Sequence, residues 1–155
     1  MKERFEATEW AHLQALPIHL FAAIAIADGE IQKEEIEEFV RRLTIGAHGY
    51  KDPLHRELAR SIVDADILKV LKRKDAGGFK PDKTKQVLKE KLTSEEYQKF
   101  VGSLFIDAFN IAAASKTGLF RKKAISAEEH ERLTAIAIFW EVELERIVAS
   151  TASAT

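Results

Sequence analysis

Apolar residues run almost unbroken from Ile18 to Ala27, and Pro17 just ahead of them fits the first turn of a helix. Such a run predicts a helix buried on every side. Asp28-Gly29 breaks it, after which Glu34, Glu35, Glu37 and Glu38 interleave with Ile36, Phe39, Val40 and Leu43. Apolar positions three and four apart predict an amphipathic helix, and carboxylates in its first turn suit the positive end of the helix dipole. This helix is expected to end near Gly46.

Asp52-Pro53 supplies an N-cap followed by proline at the first helical position, opening a helix through Leu54, Leu58, Ile62 and Val63. Ile67 to Leu71 adds a further turn or two, and two glycines with a proline between Asp75 and Pro81 predict a loop before a helix starting near Asp82. Thr93-Ser94-Glu95-Glu96 is a capping box ahead of a long helix whose second half, Leu104 to Ala114, is the second mostly apolar stretch. Ser115-Lys116-Thr117-Gly118 ends that helix. Ser126-Ala127-Glu128-Glu129 is a second capping box, opening a helix with Leu133, Ile136 and Ala137 inward. A short helix is expected around Val142 to Val148. The reading is all-α: one compact domain over residues 1–150, with a disordered polar tail at 151–155.

Composition narrows the chemistry. Of 155 residues 46% are apolar, enough for one core without disulfides. Cysteine is absent, which excludes thiolate metal sites, thiol nucleophiles and reduction of a substrate by a thiol. The apolar stretches are too short to span a bilayer. The first six residues carry mixed charges and no apolar core, so a secretory leader is not expected and the cytoplasm is the simplest address. The net charge of −1 hides polarity: residues 1–45 hold five basic and nine acidic side chains, residues 69–91 nine basic and three acidic.

The chain also repeats a plan. A helix containing Leu20-Phe21, a glycine break, Ile31 and paired Glu34-Glu35 correspond to Leu104-Phe105, a longer basic break, Ile125 and paired Glu128-Glu129. Ala25-Ile26-Ala27-Asp28-Gly29-Glu30-Ile31-Gln32-Lys33-Glu34-Glu35 resembles the signature of TerB-like domains, in which an alanine-rich helix ends in Asp-Gly and a glutamate follows seven positions after the aspartate. The resemblance extends more loosely over both halves. It implies about seven helices built as a pseudo-repeat of two buried core helices, with metal-binding acidic residues near the two breaks. The second half departs from the signature, since Ser115-Lys116-Thr117-Gly118 stands where Ala-Asp-Gly is expected.

The candidate metal ligands are therefore Asp28, Glu30, Glu34 and Glu35 at the first break, with Asp107 and Glu129 from the second half. Carboxylate oxygens suit a hard cation, Ca²⁺ or Mg²⁺. The bland reading is that Asp28 supports the turn and the glutamates serve the helix dipole. An EF-hand is excluded, because the first and third loop positions would be Ile24 and Ile26, which offer no oxygen. Asp107 and Asn110 interrupt an apolar helix, and the carboxylate needs a partner there; His19 in the other apolar helix is one candidate, although a lone core histidine more commonly serves a backbone carbonyl.

Other chemistry has less support. Glu9 and His12 form a Glu-x-x-His without the second copy that a di-iron bundle needs. No Gly-x-Ser-x-Gly elbow and no Walker motif is present. The basic stretch from Lys69 to Lys91 lacks interleaved aromatics, so nucleic acid is not expected, while contact with a membrane surface or an acidic partner stays open. The expectation is a non-enzymatic tellurite-resistance or stress-associated module that binds a cation and a protein partner. The alternative is a helical interaction scaffold that needs no metal.

Overall fold

The computed structural model describes residues 1–25, 33–64, 80–112 and 127–143. Among them are a 3₁₀ turn at Lys2–Arg4 and six α-helices: α1 (Ala7–Ala25), α2 (Lys33–Gly49), α3 (Pro53–Asp64), α4 (Pro81–Lys91), α5 (Ser94–Ala112) and α6 (Ala127–Phe139). No strand occurs among these residues, and none of the described helices is long and apolar enough to cross a membrane. The class is all-α, with six described helices against the seven expected. The breaks at 26–32 and 113–126, the stretch 65–79 and the C-terminal residues from 144 lie outside the described residues.

α1 and α5 lie against each other and carry nearly half of the described core. Leu13, Leu16, Leu20 and Phe21 of α1 and Phe100, Val101, Leu104, Phe105, Ala108 and Ile111 of α5 are all buried in one contiguous cluster. α2 and α3 pack as a pair beside them, and Phe39 of α2 stacks on Phe21 of α1 at 5.0 Å between ring centroids. Fully burying a side chain of this size contributes about 1.5–3 kcal/mol each.

Local signals account for several helix ends. Asp52 Oδ1 accepts the His55 backbone N–H at 2.8 Å, with Pro53 opening α3. Thr93 and Glu96 form the reciprocal capping box, with bonds of 2.8 and 3.2 Å. The C-terminal end of α2 is served by α3: Arg60 donates to the Ala47 carbonyl and Arg56 to that of Tyr50, cations placed where the helix dipole is negative.

Three expectations fail for tertiary reasons. Pro17 sits inside α1, which already begins at Ala7. The residues ahead of it are helical because Trp10, Leu13 and Leu16 share the buried face, and their burial outweighs the hydrogen bond that proline removes. α1 is not buried all round either: Ala23 is exposed and Ile18 half-buried. Gly46 does not end α2, which continues to Gly49; it is buried and leaves room for a neighbouring ring.

The end of α6 has no glycine at all. Val142 N–H bonds the Ala137 carbonyl at 2.9 Å and Glu141 N–H that of Ile138 at 3.0 Å, the paired bonds of a Schellman turn. Glu141 occupies its left-handed position at φ 54°, where glycine is usual. Lys85 and Lys89 of α4 hold the Glu141 carboxylate at 2.8 and 2.5 Å and pull its pKa down to about 2. Residues 142 and 143 are not helical, and the rest of the helix expected there lies outside the described residues.

Candidate functional site

The first break divides its candidate ligands. Asp28 and Glu30 lie outside the described residues, while Glu34 and Glu35 form the first turn of α2. Glu34 is exposed, as is Glu37, and both behave as solvated dipole partners. Glu35 differs: it is 1% exposed, facing inward on the same stripe as Phe39 and Leu43. Residues four apart share a helix face, so the sequence itself places Glu35 on the apolar stripe. It takes part in a polar contact in the structure. Glu129 falls in the first turn of α6, and its side chain lies outside the described part of the molecule. Among the described residues, no group of three or more acidic or histidine side chains is gathered as for a metal.

Asp107 is engaged on both oxygens. Arg42 Nη1 donates to Oδ1 at 3.0 Å, and the Tyr50 hydroxyl donates to Oδ2. Arg42 also donates through Nε to Glu38 at 2.7 Å, and Glu38 is held in addition by Arg41, whose two bonds are the main cause of its lowered pKa. Burial pushes the Asp107 pKa up, against the opposing pull of Tyr50 and Arg42. The Tyr50 phenol is pushed well above its usual range, first by burial and then by the Asp107 charge, so it stays a donor. These partners replace the His19 expected from the sequence; the histidine beside Asp107 is His55, with Nε2 4.0 Å from Oδ2.

His55 is the pivot of the cluster. Its ring stacks on Tyr50 at 3.7 Å and meets the edge of Phe100 at 6.4 Å. Nδ1 lies 2.9 Å from Ser103 Oγ, which in turn lies 2.8 Å from the Phe100 carbonyl oxygen. Nδ1 and the Ser103 hydroxyl are within hydrogen-bond distance, and which of the two donates depends on the His55 tautomer. Burial alone drives the imidazole pKa down to about 3.

Ser103, His55 and Asp107 stand in line, and Ser103 lines an open cleft of about 530 Å³ with Lys51, Lys99 and Ile106. A nucleophilic triad needs the carboxylate bonded to the second imidazole nitrogen, whereas Nε2 of His55 stands 4.0 Å from Asp107 Oδ2, beyond a hydrogen bond. A histidine protonated only near pH 3 is also a poor base at neutral pH. The arrangement ties α2, α3 and α5 together.

The same arrangement explains Gly46. A Cβ built there would collide with the Tyr50 ring. That ring is pinned between His55 and Asp107 and has little freedom to retreat. Gly46→Ala is therefore expected to destabilise by up to about 2 kcal/mol, because overpacking of up to about 3 kcal/mol outweighs the gain of about 1 kcal/mol in helix propensity. Urea denaturation reads this directly; a stabilised variant would mean that Tyr50 moves aside freely.

Sequence reasoning missed Tyr50, His55, Ser103 and Arg42. Asp107 meets Arg42 from 65 residues away and Tyr50 from 57, and no local pattern encodes either pairing. A second cleft, of about 560 Å³, lies between α1 and the C-terminal end of α6; His19 and Asp82 are polar groups on a lining that includes Leu16, Leu20, Phe139 and Trp140. Burial lowers the His19 pKa. Comparison of the chain with protein-family models, with curated proteins and with solved structures gives no match.

Proposed function

We propose that the chain is a TerB-like, tellurite-resistance or stress-associated module that takes up Ca²⁺ or Mg²⁺ at the acidic break between α1 and α2 and works by engaging a protein partner, without catalysing a reaction. The observation that carries this reading is the burial of Glu35. A first-turn glutamate serving the helix dipole has no reason to leave water, as Glu34 illustrates. A carboxylate taken out of solvent must be matched by compensating charge or hydrogen bonds; Glu35 already takes part in a polar contact, and a hard cation would add to it. Glu35 is also the glutamate that the sequence resemblance pairs with Asp28.

The test is calorimetric titration of the protein with CaCl₂ and MgCl₂. Saturable uptake is expected, weakened about tenfold or more by Glu35→Gln. Absence of heat in the wild type at millimolar cation overturns the proposal. Asp107 favours the second reading, a metal-independent interaction scaffold, because its oxygens are already committed to Arg42 and Tyr50. Under that reading the double variant Asp28→Asn, Glu35→Gln captures its partner as well as the wild type does.

A further inference from the structure

The second cleft lies where α1, the start of α4 and the end of α6 meet. Its volume of about 560 Å³ is within the range of about 300–1,000 Å³ usual for small-molecule sites. The walls are aliphatic on one side, with Leu16 and Leu20 of α1, and aromatic on the other, where Phe139 and Trp140 meet edge to face at 5.2 Å between centroids. Two polar side chains interrupt this lining. His19 is half-buried on α1, and burial lowers its pKa, so the ring is uncharged at neutral pH. Asp82 stands exposed in the first turn of α4, and its carboxylate has no hydrogen bond or ion pair among the described residues. Lys85, whose Nζ is 5.2 Å from the Phe139 ring centroid, is already matched by Glu141 at 2.8 Å. Among the described lining residues, Asp82 is therefore the one charge, and it is negative.

We propose that this cleft binds a small hydrophobic amine, with its apolar body between Leu16, Leu20 and the aromatic pair and its ammonium toward Asp82. Charge complementarity selects the ammonium, because an anion on the same body meets the Asp82 carboxylate as a like charge. The helix ends point the same way. The C-terminal end of α6 is the negative pole of its dipole and carries no basic residue in its last turn, while the positive pole of α4 is already met by Asp82. The faces of Phe139 and Trp140 attract a cation further. The apolar walls supply the rest of the affinity by taking the body of the amine out of water. This site shares no residue with the acidic break and needs no metal.

The full chain is titrated at neutral pH with phenylbutylamine while the Trp140 indole N–H is followed by NMR. Phenylbutyrate and phenylbutanol present the same body with the opposite charge and with none. The amine is expected to bind saturably and displace the Trp140 signal, and the carboxylate to bind about tenfold or more weakly. Asp82→Asn should weaken the amine about fivefold and leave the alcohol unchanged. Because Asp82 is exposed, that variant keeps the fold. Ala23→Leu, which adds bulk to the lining at an exposed position of α1, should weaken amine and alcohol alike. Glu35→Gln should bind the amine as the wild type does, which separates this site from the Ca²⁺ or Mg²⁺ proposal. A Trp140 signal that stays in place, equal affinity for amine and carboxylate, or an amine affinity untouched by Asp82→Asn overturns the proposal. A dimer in sedimentation that takes up no amine assigns the cleft to a second copy of the chain and overturns it as well.

Discussion

Asp107→Ala is expected to lower unfolding stability by about 3 kcal/mol in urea denaturation, near the lower end of the ~3–5 kcal/mol seen when one partner of a buried ion pair is removed. The carboxylate is largely buried and ties Arg42 of α2 and Tyr50, just beyond it, to α5. Its removal leaves a gap and breaks both bonds. The loss stays near the lower end for two reasons: Glu38 continues to hold Arg42, and the Tyr50 hydroxyl has the Arg42 carbonyl within 3.2 Å as a substitute acceptor. Asp107→Asn keeps the shape and one acceptor and should cost about 1 kcal/mol, the worth of an ordinary hydrogen bond. Equal effects of the two variants would mean that charge, rather than packing and bonding, is what matters there.

Acid should weaken the fold through His55. Its pKa is about 3 in the folded protein against an ordinary value of 6.5, so between those limits the unfolded chain binds the extra proton. The stability that His55 contributes is complete above pH 6.5 and is lost as pH falls toward 3. At about 1.4 kcal/mol per pH unit for one proton, the loss approaches roughly 5 kcal/mol across the window. Asp107, 4.0 Å from Nε2, favours the imidazolium, yet burial among Tyr50, Phe100 and Ser103 dominates. Burial raises the pKa of Asp107 and of Asp52, so these two work in the opposite sense and offset part of the loss at the acid end. His55→Gln removes one titrating group, and the slope of unfolding free energy against pH between 6.5 and 4 should fall by about one proton. An unchanged slope would place the acid sensitivity elsewhere.

The helical class, the capping box at Thr93 and Glu96 and the two apolar helices were legible because each depends on residues within a few positions of one another. The starts of α3 and α5 follow from Asp52-Pro53 and from Thr93 with Glu96. Pro17 and Gly46 were misread because their roles depend on distant parts of the chain: Trp10, Leu13 and Leu16 carry α1 through the proline, and the Tyr50 ring occupies the space a side chain at Gly46 would need. The left-handed residue Glu141 gave no sign, since its side chain is held by lysines from another helix. At the candidate site the inward placement of Glu35 was available from its spacing to Phe39 and Leu43, whereas the engagement of Asp107 by Arg42 and Tyr50 was not.

The central claim concerns the carboxylate of Glu35, and the most direct measurement is its side-chain ¹³C resonance during addition of CaCl₂ to the labelled full-length protein. A saturable displacement of that signal, absent from the exposed Glu37 carboxylate, is the predicted result. A Glu35 carboxyl resonance that stays in place up to millimolar Ca²⁺ and Mg²⁺ would contradict it.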